Sequence, residues 1–242
     1  MGIIVIIISI IFIGIGVLVK SNPNLISGYS TMSEEEKQNV DILGLSTLLR
    51  NGFILIAFVN ILVYFTFYFL KLKFYADSSL IFTVFGGIII LVIQSNKYDK
   101  NKKSKQKNKF VVILLSALTI GASVLFYYGT ASSEVIFSDN SFEITNMYGV
   151  KKNYSNIKNI VLLDTMPEII IKTNGFNLGD ITKGEFKLKK YGYCSLFLES
   201  QSAPIIMLEF NDRKHIFINY SSAEKTSEVY DKFNNALIKD NE

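Results

Sequence analysis

The sequence predicts an α-helical membrane module of four transmembrane helices, followed by a small α+β, mainly-β domain. Three observations lead there. Four long apolar runs lie before residue 131. Between the third and fourth, residues 96–109 hold seven lysines and one aspartate. From residue 134 onward the hydrophobic period changes from helical to alternating, the mark of strands. A chain of 242 residues suffices for such a module and one further domain.

The module occupies residues 1–130, with spans expected at about 2–19, 52–70, 78–95 and 110–128. The first run carries no charge, and its first basic residue, Lys20, follows the apolar stretch. A secretory signal peptide has a basic start and a small-residue cleavage site, so this run reads as an uncleaved span. Ser33 and Glu36 form a capping box, and Glu34, Glu35 and Glu36 suit the positive end of a helix dipole. Val40, Leu43, Thr47 and Leu48 continue at helical spacing toward Arg50, as in an amphipathic helix feeding the second span. Asn60 is the one strongly polar side chain of that span. The third run opens with two serines, Ser78 and Ser79, and is the weakest of the four. The fourth ends in Phe126-Tyr127-Tyr128, an aromatic belt at the water boundary. Ala117 and Gly121 within it form a small-xxx-small pair suited to close helix contact.

The lysines Lys97, Lys100, Lys102, Lys103, Lys105, Lys107 and Lys109 set the expected topology. At about 2.5–3.5 kcal/mol each in a bilayer centre, burying them would cost on the order of 20 kcal/mol. Residues 20–50 hold three Lys or Arg, residues 96–109 hold seven, and the 71–77 connection holds two. The positive-inside rule then puts the first two segments in the cytoplasm, and four spans return the C-terminal domain to the outside. If the third run failed to span, the lysines would stay cytoplasmic only by re-pairing the others. Residues 1–133 carry net +6 and residues 134–242 net −2. The basic balance thus belongs to the membrane flanks, which argues against nucleic acid as a partner. Membrane lipids are the expected partner of the lysines, at about 1 kcal/mol for each one near an anionic surface.

The domain 134–242 reads as about seven strands in a strongly bent sheet, or partly open barrel, capped by a C-terminal helix. Val135 and Phe137 alternate before the turn Asp139-Asn140-Ser141, and Phe142 and Ile144 after it. Strands follow at 157–163, 168–172, 185–189, 193–199, 204–210 and 214–219. Asn174-Gly175 reads as a turn opening a glycine-bearing loop, and Asn211-Asp212-Arg213 as a tight connection. Ser221 and Glu224 make a second capping box. Thr226, Val229, Tyr230, Phe233, Ala236 and Leu237 then form one apolar stripe. Of these, Val229, Tyr230, Phe233 and Leu237 are the candidate interaction helix.

Two segments resemble known families. The stretch from Pro23 to Lys37, with its Gly28-Tyr29-Ser30-Thr31-Met32-Ser33 core, is similar to the signature of a small bacterial membrane family of unknown function. That resemblance implies a three-span module over about 1–95 and no activity; Ser30 stands where the family has asparagine. Gly179, Gly184-x-Phe186, Gly192, Leu196-Phe197, Ile216-Phe217-Ile218-Asn219 and the final helix resemble bacterial pleckstrin-homology-like domains. This second resemblance implies interaction or assembly roles. Lipid-binding members carry basic residues around the first hairpin, where this chain has Asp139-Asn140-Ser141, so no phosphoinositide is expected.

Signals for chemistry are sparse. His215 lies in a strand with no Gly-x-Ser-x-Gly elbow in the chain, and Cys194 sits among Tyr, Leu and Phe as a small core residue. One cysteine forms no intrachain disulfide and no cysteine metal site. No ionisable residue lies within the spans, where carriers need polar partners. The expectation is a non-enzymatic bacterial inner-membrane protein without cofactor, displaying an interaction or assembly domain to an unknown protein partner. The alternative is an accessory or sensory subunit of a transport or signalling complex.

Overall fold

The computed structural model describes residues 1–202 and 204–240. The chain divides into two compact units, Met1–Val124 and the remainder from Leu125. The last two residues of the 134–242 domain lie outside the described residues.

Among the described residues four helices are long and apolar enough to cross a membrane: α1 (Gly2–Ser21), α3 (Ile42–Phe69), α4 (Lys73–Ser95) and α5 (Lys102–Thr130), the last running past the end of the first unit. A helix of twenty residues spans about 30 Å, the thickness of the hydrocarbon layer. Between α1 and α3 come a 3₁₀ turn, Pro23–Leu25, and the short α2 (Glu34–Gln38). The Ser33–Glu36 capping box forms as the sequence predicts. The helix it starts, however, does not run on to Arg50. The Asp41 carboxylate accepts from the Gly44 amide at 2.9 Å and caps a new helix, α3, which continues unbroken through the second span.

The weak third run forms a helix of 23 residues, long and apolar enough to cross a membrane. Its two serines are satisfied within the helix: Ser78 Oγ donates to the Tyr75 carbonyl at 3.3 Å and Ser79 Oγ to that of Ala76 at 2.7 Å. Self-bonded hydroxyls present little polarity to lipid. At mid-bundle, Asn60 Nδ2 donates to Ser9 Oγ at 3.2 Å and Thr83 Oγ1 donates to Asn60 Oδ1 at 2.9 Å, joining α1, α3 and α4. Ser9 and Asn60 are fully buried. Close approach of the helices uses glycines: Gly16 meets Phe53 and the Arg50 backbone, Gly52 meets Leu91, and Gly87 meets Ile56. Gly121 of the Ala117/Gly121 pair has open space beside it.

The lysine segment is not a loop throughout. Residues 96–101 turn, and Lys102 already begins α5, so five of the seven lysines ride on its first two turns. Lys and Gln are good helix formers. Asn108, on the inner face of α5, donates to Ser95 Oγ at 3.1 Å and Asn96 Oδ1 at 2.9 Å.

Among the described residues the second unit holds nine strands rather than about seven. A three-stranded antiparallel sheet comprises β1 (Glu134–Phe137), β2 (Ser141–Thr145) and β3 (Val150–Asn153). The six-stranded sheet runs β4-β8-β9-β7-β6-β5. Its members are β4 (Ile157–Leu163), β5 (Ile169–Leu178), β6 (Ile181–Leu188), β7 (Gly192–Leu198), β8 (Ile205–Phe210) and β9 (His215–Asn219). All neighbours are antiparallel except β7 and β9, which pair in parallel. The Asn174-Gly175 turn is absent, because both residues lie inside β5. Gly175 pairs with Gly184 of β6, next to a register shift, and the reversal comes at Gly179, with φ +64°. Gly184 itself has φ +111°, and a Cβ there would meet the Asn174 carbonyl, so the two glycines let the backbones approach.

Alternation splits the six-stranded sheet between two cores. Ile206, Leu208, Phe210, Ile216 and Ile218 join Phe142 and Ile144 of β2 with Val229 and Phe233 of α6 (Ala223–Asp240). The other face gathers Phe186, Leu188, Cys194, Leu196, Leu198, Ile205, Met207 and Phe217. The cap of α6 lies one residue later than expected. Ser222 Oγ accepts from the Lys225 amide at 3.2 Å, while Ser221 donates to Glu199 at 3.3 Å.

Candidate functional site

The richest polar geometry of the first unit lies where the Pro23–Lys37 segment meets the start of α5. Pro23 opens the 3₁₀ turn, and the Asn22 side chain accepts from the Asn24 amide. Gly28 then adopts φ +91°, a conformation that L side chains rarely take. Thr31 Oγ1 donates back to the Gly28 carbonyl at 3.0 Å. The folded loop covers a cavity of about 650 Å³. Its deeper wall is apolar, with Val19, Leu49, Phe53, Val92 and Val111. Its rim carries Tyr29, Glu36, Asp99, Lys103, Lys107 and Asn108.

The rim is cross-tied. The Asp41 amide donates to the Tyr98 carbonyl at 2.8 Å, and the Lys100 amide to the Asn39 carbonyl at 3.1 Å. Asn101 Nδ2 donates to the Glu36 carbonyl at 2.8 Å, and Val40 and Asp99 form an isolated β-bridge. Lys103 Nζ stands 3.2 Å from Glu36 Oε1. The Ser33 amide, and after it Lys103, hold the Glu36 carboxyl below its ordinary range. All seven lysines are exposed, and only Lys103 and Lys107 line the cavity. Lys107 Nζ lies 3.6 Å from the position a Cβ on Gly28 would take. A second cavity, about 920 Å³, opens between α3 and α4 and is lined by Thr47, Asn51, Gly52, Phe82, Gly87 and Gln94 among others.

The second unit contains a polar cluster that sequence reasoning missed. Lys183 of β6 is 1% exposed. Its ammonium donates to the Ala131 carbonyl, just past the end of α5, and lies 3.9 Å from Glu199 Oε1. Glu199 also accepts from Ser132 Oγ at 2.6 Å and from the Ser133 amide at 3.1 Å. Burial pushes the Lys183 ammonium below its usual range, opposed by Glu199. It pushes the nearby Tyr220 phenol up to about 12. A cation at the carboxyl end of α5 complements the helix dipole. Phe176 packs on Gly129 of the same helix end. Together these groups grip residues 129–133.

The other expected residues serve packing. Val229 and Phe233 are buried, and Tyr230 and Leu237 pack against the same core. Val229 and Phe233 are thus taken up by the domain's own core, while Tyr230 and Leu237 are half-buried. Cys194 is buried and its thiol is pushed up to about 12 by burial. His215 meets Tyr191 in a tilted ring contact and stacks on Phe217, and burial lowers its imidazole below the ordinary value.

Residues 4–99 match a family described as a domain of unknown function (DUF3784). The match takes in α1, the loop over the cavity, α3 and α4, and ends before α5. No curated protein and no solved structure matches the chain.

Proposed function

We propose that the chain is a non-enzymatic multi-pass protein of the bacterial inner membrane that displays a pleckstrin-homology-like interaction or assembly domain on the extracytoplasmic side. The tie between residues 33–41 and 96–103 carries this reading. Two connections bonded to each other share one side of a bilayer, so α3 and α4 cross as a pair. The second connection and the start of α5 hold seven lysines in residues 96–109, which favours the cytoplasm for both. The apolar run of α5 then leads to the opposite side. The closing helix α6 over a bent sheet supports the pleckstrin-like assignment.

The contact surface we assign is the β5 edge. This strand is ten residues long, ends the six-stranded sheet, and exposes half of Ile170 and Ile171. Unpaired edges with apolar side chains accept an added strand. A photo-crosslinking residue at Ile171 of the full-length protein, in native membranes, should give one discrete adduct that the same residue at Glu228 on α6 does not. Equal or absent adducts at both positions would refute the assignment. The α3–α4 cavity favours a second reading, an accessory or sensory subunit whose ligand enters from the membrane.

A further inference from the structure

The cavity beneath the Pro23–Met32 loop has an uneven chemistry. Its depth is lined by side chains of four membrane-spanning helices and its rim by side chains of the polar connections. Of the two rim lysines, Lys103 is engaged by Glu36, whereas Lys107 has no carboxylate partner among the described residues. Lys97, Lys100, Lys102, Lys105 and Lys109 are exposed and do not line the cavity. A volume of about 650 Å³ falls within the range of small-molecule sites. Glu36 is paired with Lys103 and Asp99 accepts from the Asn101 amide at 2.9 Å, which leaves Lys107 to meet an occupant that is negative at the mouth and apolar at depth.

We propose that this cavity holds one anionic phospholipid, its phosphate at Lys107 and its upper acyl chain against Phe53, Val92 and Val111. The loop acts as a flap over the headgroup. Gly28 is required there because its backbone takes a positive φ directly beside the Lys107 ammonium. Ser104 lies on the same face of α5 and supplies a hydroxyl for a remaining phosphate oxygen, while the Asn108 amide stays engaged with Ser95 and Asn96. The proposal rests on the membrane-spanning reading of the helices, and not on which side the β domain occupies.

The test uses full-length protein purified in detergent and observed by native mass spectrometry after equilibration with phosphatidylglycerol or phosphatidylcholine. Wild type should retain one phosphatidylglycerol in preference to phosphatidylcholine. K107Q should lower that occupancy about fivefold, the factor corresponding to about 1 kcal/mol for one lysine at an anionic headgroup. V111W, which fills the apolar depth without touching charge, should lower it as well. The double variant K105Q/K109Q, outside the cavity, should change it less than twofold. Equal loss in K105Q/K109Q would overturn the proposal in favour of a diffuse basic surface. Displacement of the lipid by millimolar inorganic phosphate would overturn it in favour of a free-anion site. Extraction of the chain from membranes by alkaline carbonate would instead sink the membrane-spanning reading itself.

Discussion

Replacing Asn60 by leucine isolates the polar contribution to the three-helix bundle. Leucine is close to asparagine in volume, so the packing around position 60 survives while both interhelical bonds disappear. Neither partner is left stranded. Thr83 Oγ1 has the Ser79 carbonyl within reach at 2.8 Å and can turn its single proton there, and Ser9 can turn to a carbonyl of its own helix one turn back. The loss is then the two bonds alone. Interhelical bonds in membranes average about 0.6 kcal/mol and reach about 1.7. Asn60→Leu should therefore destabilise the bundle by about 1 kcal/mol, against about 2.5–3.5 for Asn60→Asp, which places a charge at mid-span. Pulse proteolysis of the full-length protein across a dodecyl sulfate titration measures both. An unchanged or higher midpoint for Asn60→Leu would refute the view that this triad holds α1, α3 and α4 together.

Other consequences follow from single contacts. Gly52→Leu or Gly87→Leu should cost about 1–3 kcal/mol by overpacking against Leu91 or Ile56, while Gly121→Leu, beside open space, should leave the same titration unchanged. In the β domain, Cys194 is the single cysteine and is buried, so its alkylation rate in the full-length protein reports domain opening. By that rate Glu199→Ala should destabilise by about 3–5 kcal/mol, because it leaves the Lys183 ammonium buried with only the Ala131 carbonyl. His215 is lowered by burial, so the unfolded chain takes up a proton near pH 6.5 that the folded chain refuses. Its contribution is present above pH 6.5 and is lost as pH falls below it; His215→Phe should flatten the stability profile in that window, and an unaltered profile would contradict the assigned shift.

The parts of this architecture that rest on composition were legible in the sequence. Four apolar runs became four helices, and the Asp139 hairpin, the Asn211 turn and the Ser33 box formed where residue chemistry placed them. What was missed depends on distant contacts. Asp41 starts a new helix because the chain at Val40 is pulled into a bridge with Asp99, fifty-nine positions away. Asn174-Gly175 carries a turn signal, yet pairing with β6 keeps it extended and moves the reversal to Gly179. Lys183 looks like a surface residue of the glycine-bearing loop, because nothing local reveals that it lies in β6 under the end of α5. The stripe on α6 was visible as apolar, but a sequence does not distinguish an apolar face that meets its own sheet from one that meets a partner. The cavity under the loop joins residues from five segments, and only the resemblance around Gly28-Tyr29 pointed to that region.

The central claim is topological, and its most direct test is sidedness in intact spheroplasts. A tag fused to the C-terminus should be cleaved by external protease while an engineered cysteine at Lys100 resists a membrane-impermeant thiol reagent until the cells are lysed. A protected tag together with a reactive residue 100 would place the lysines outside and the β domain in the cytoplasm, and would contradict the account.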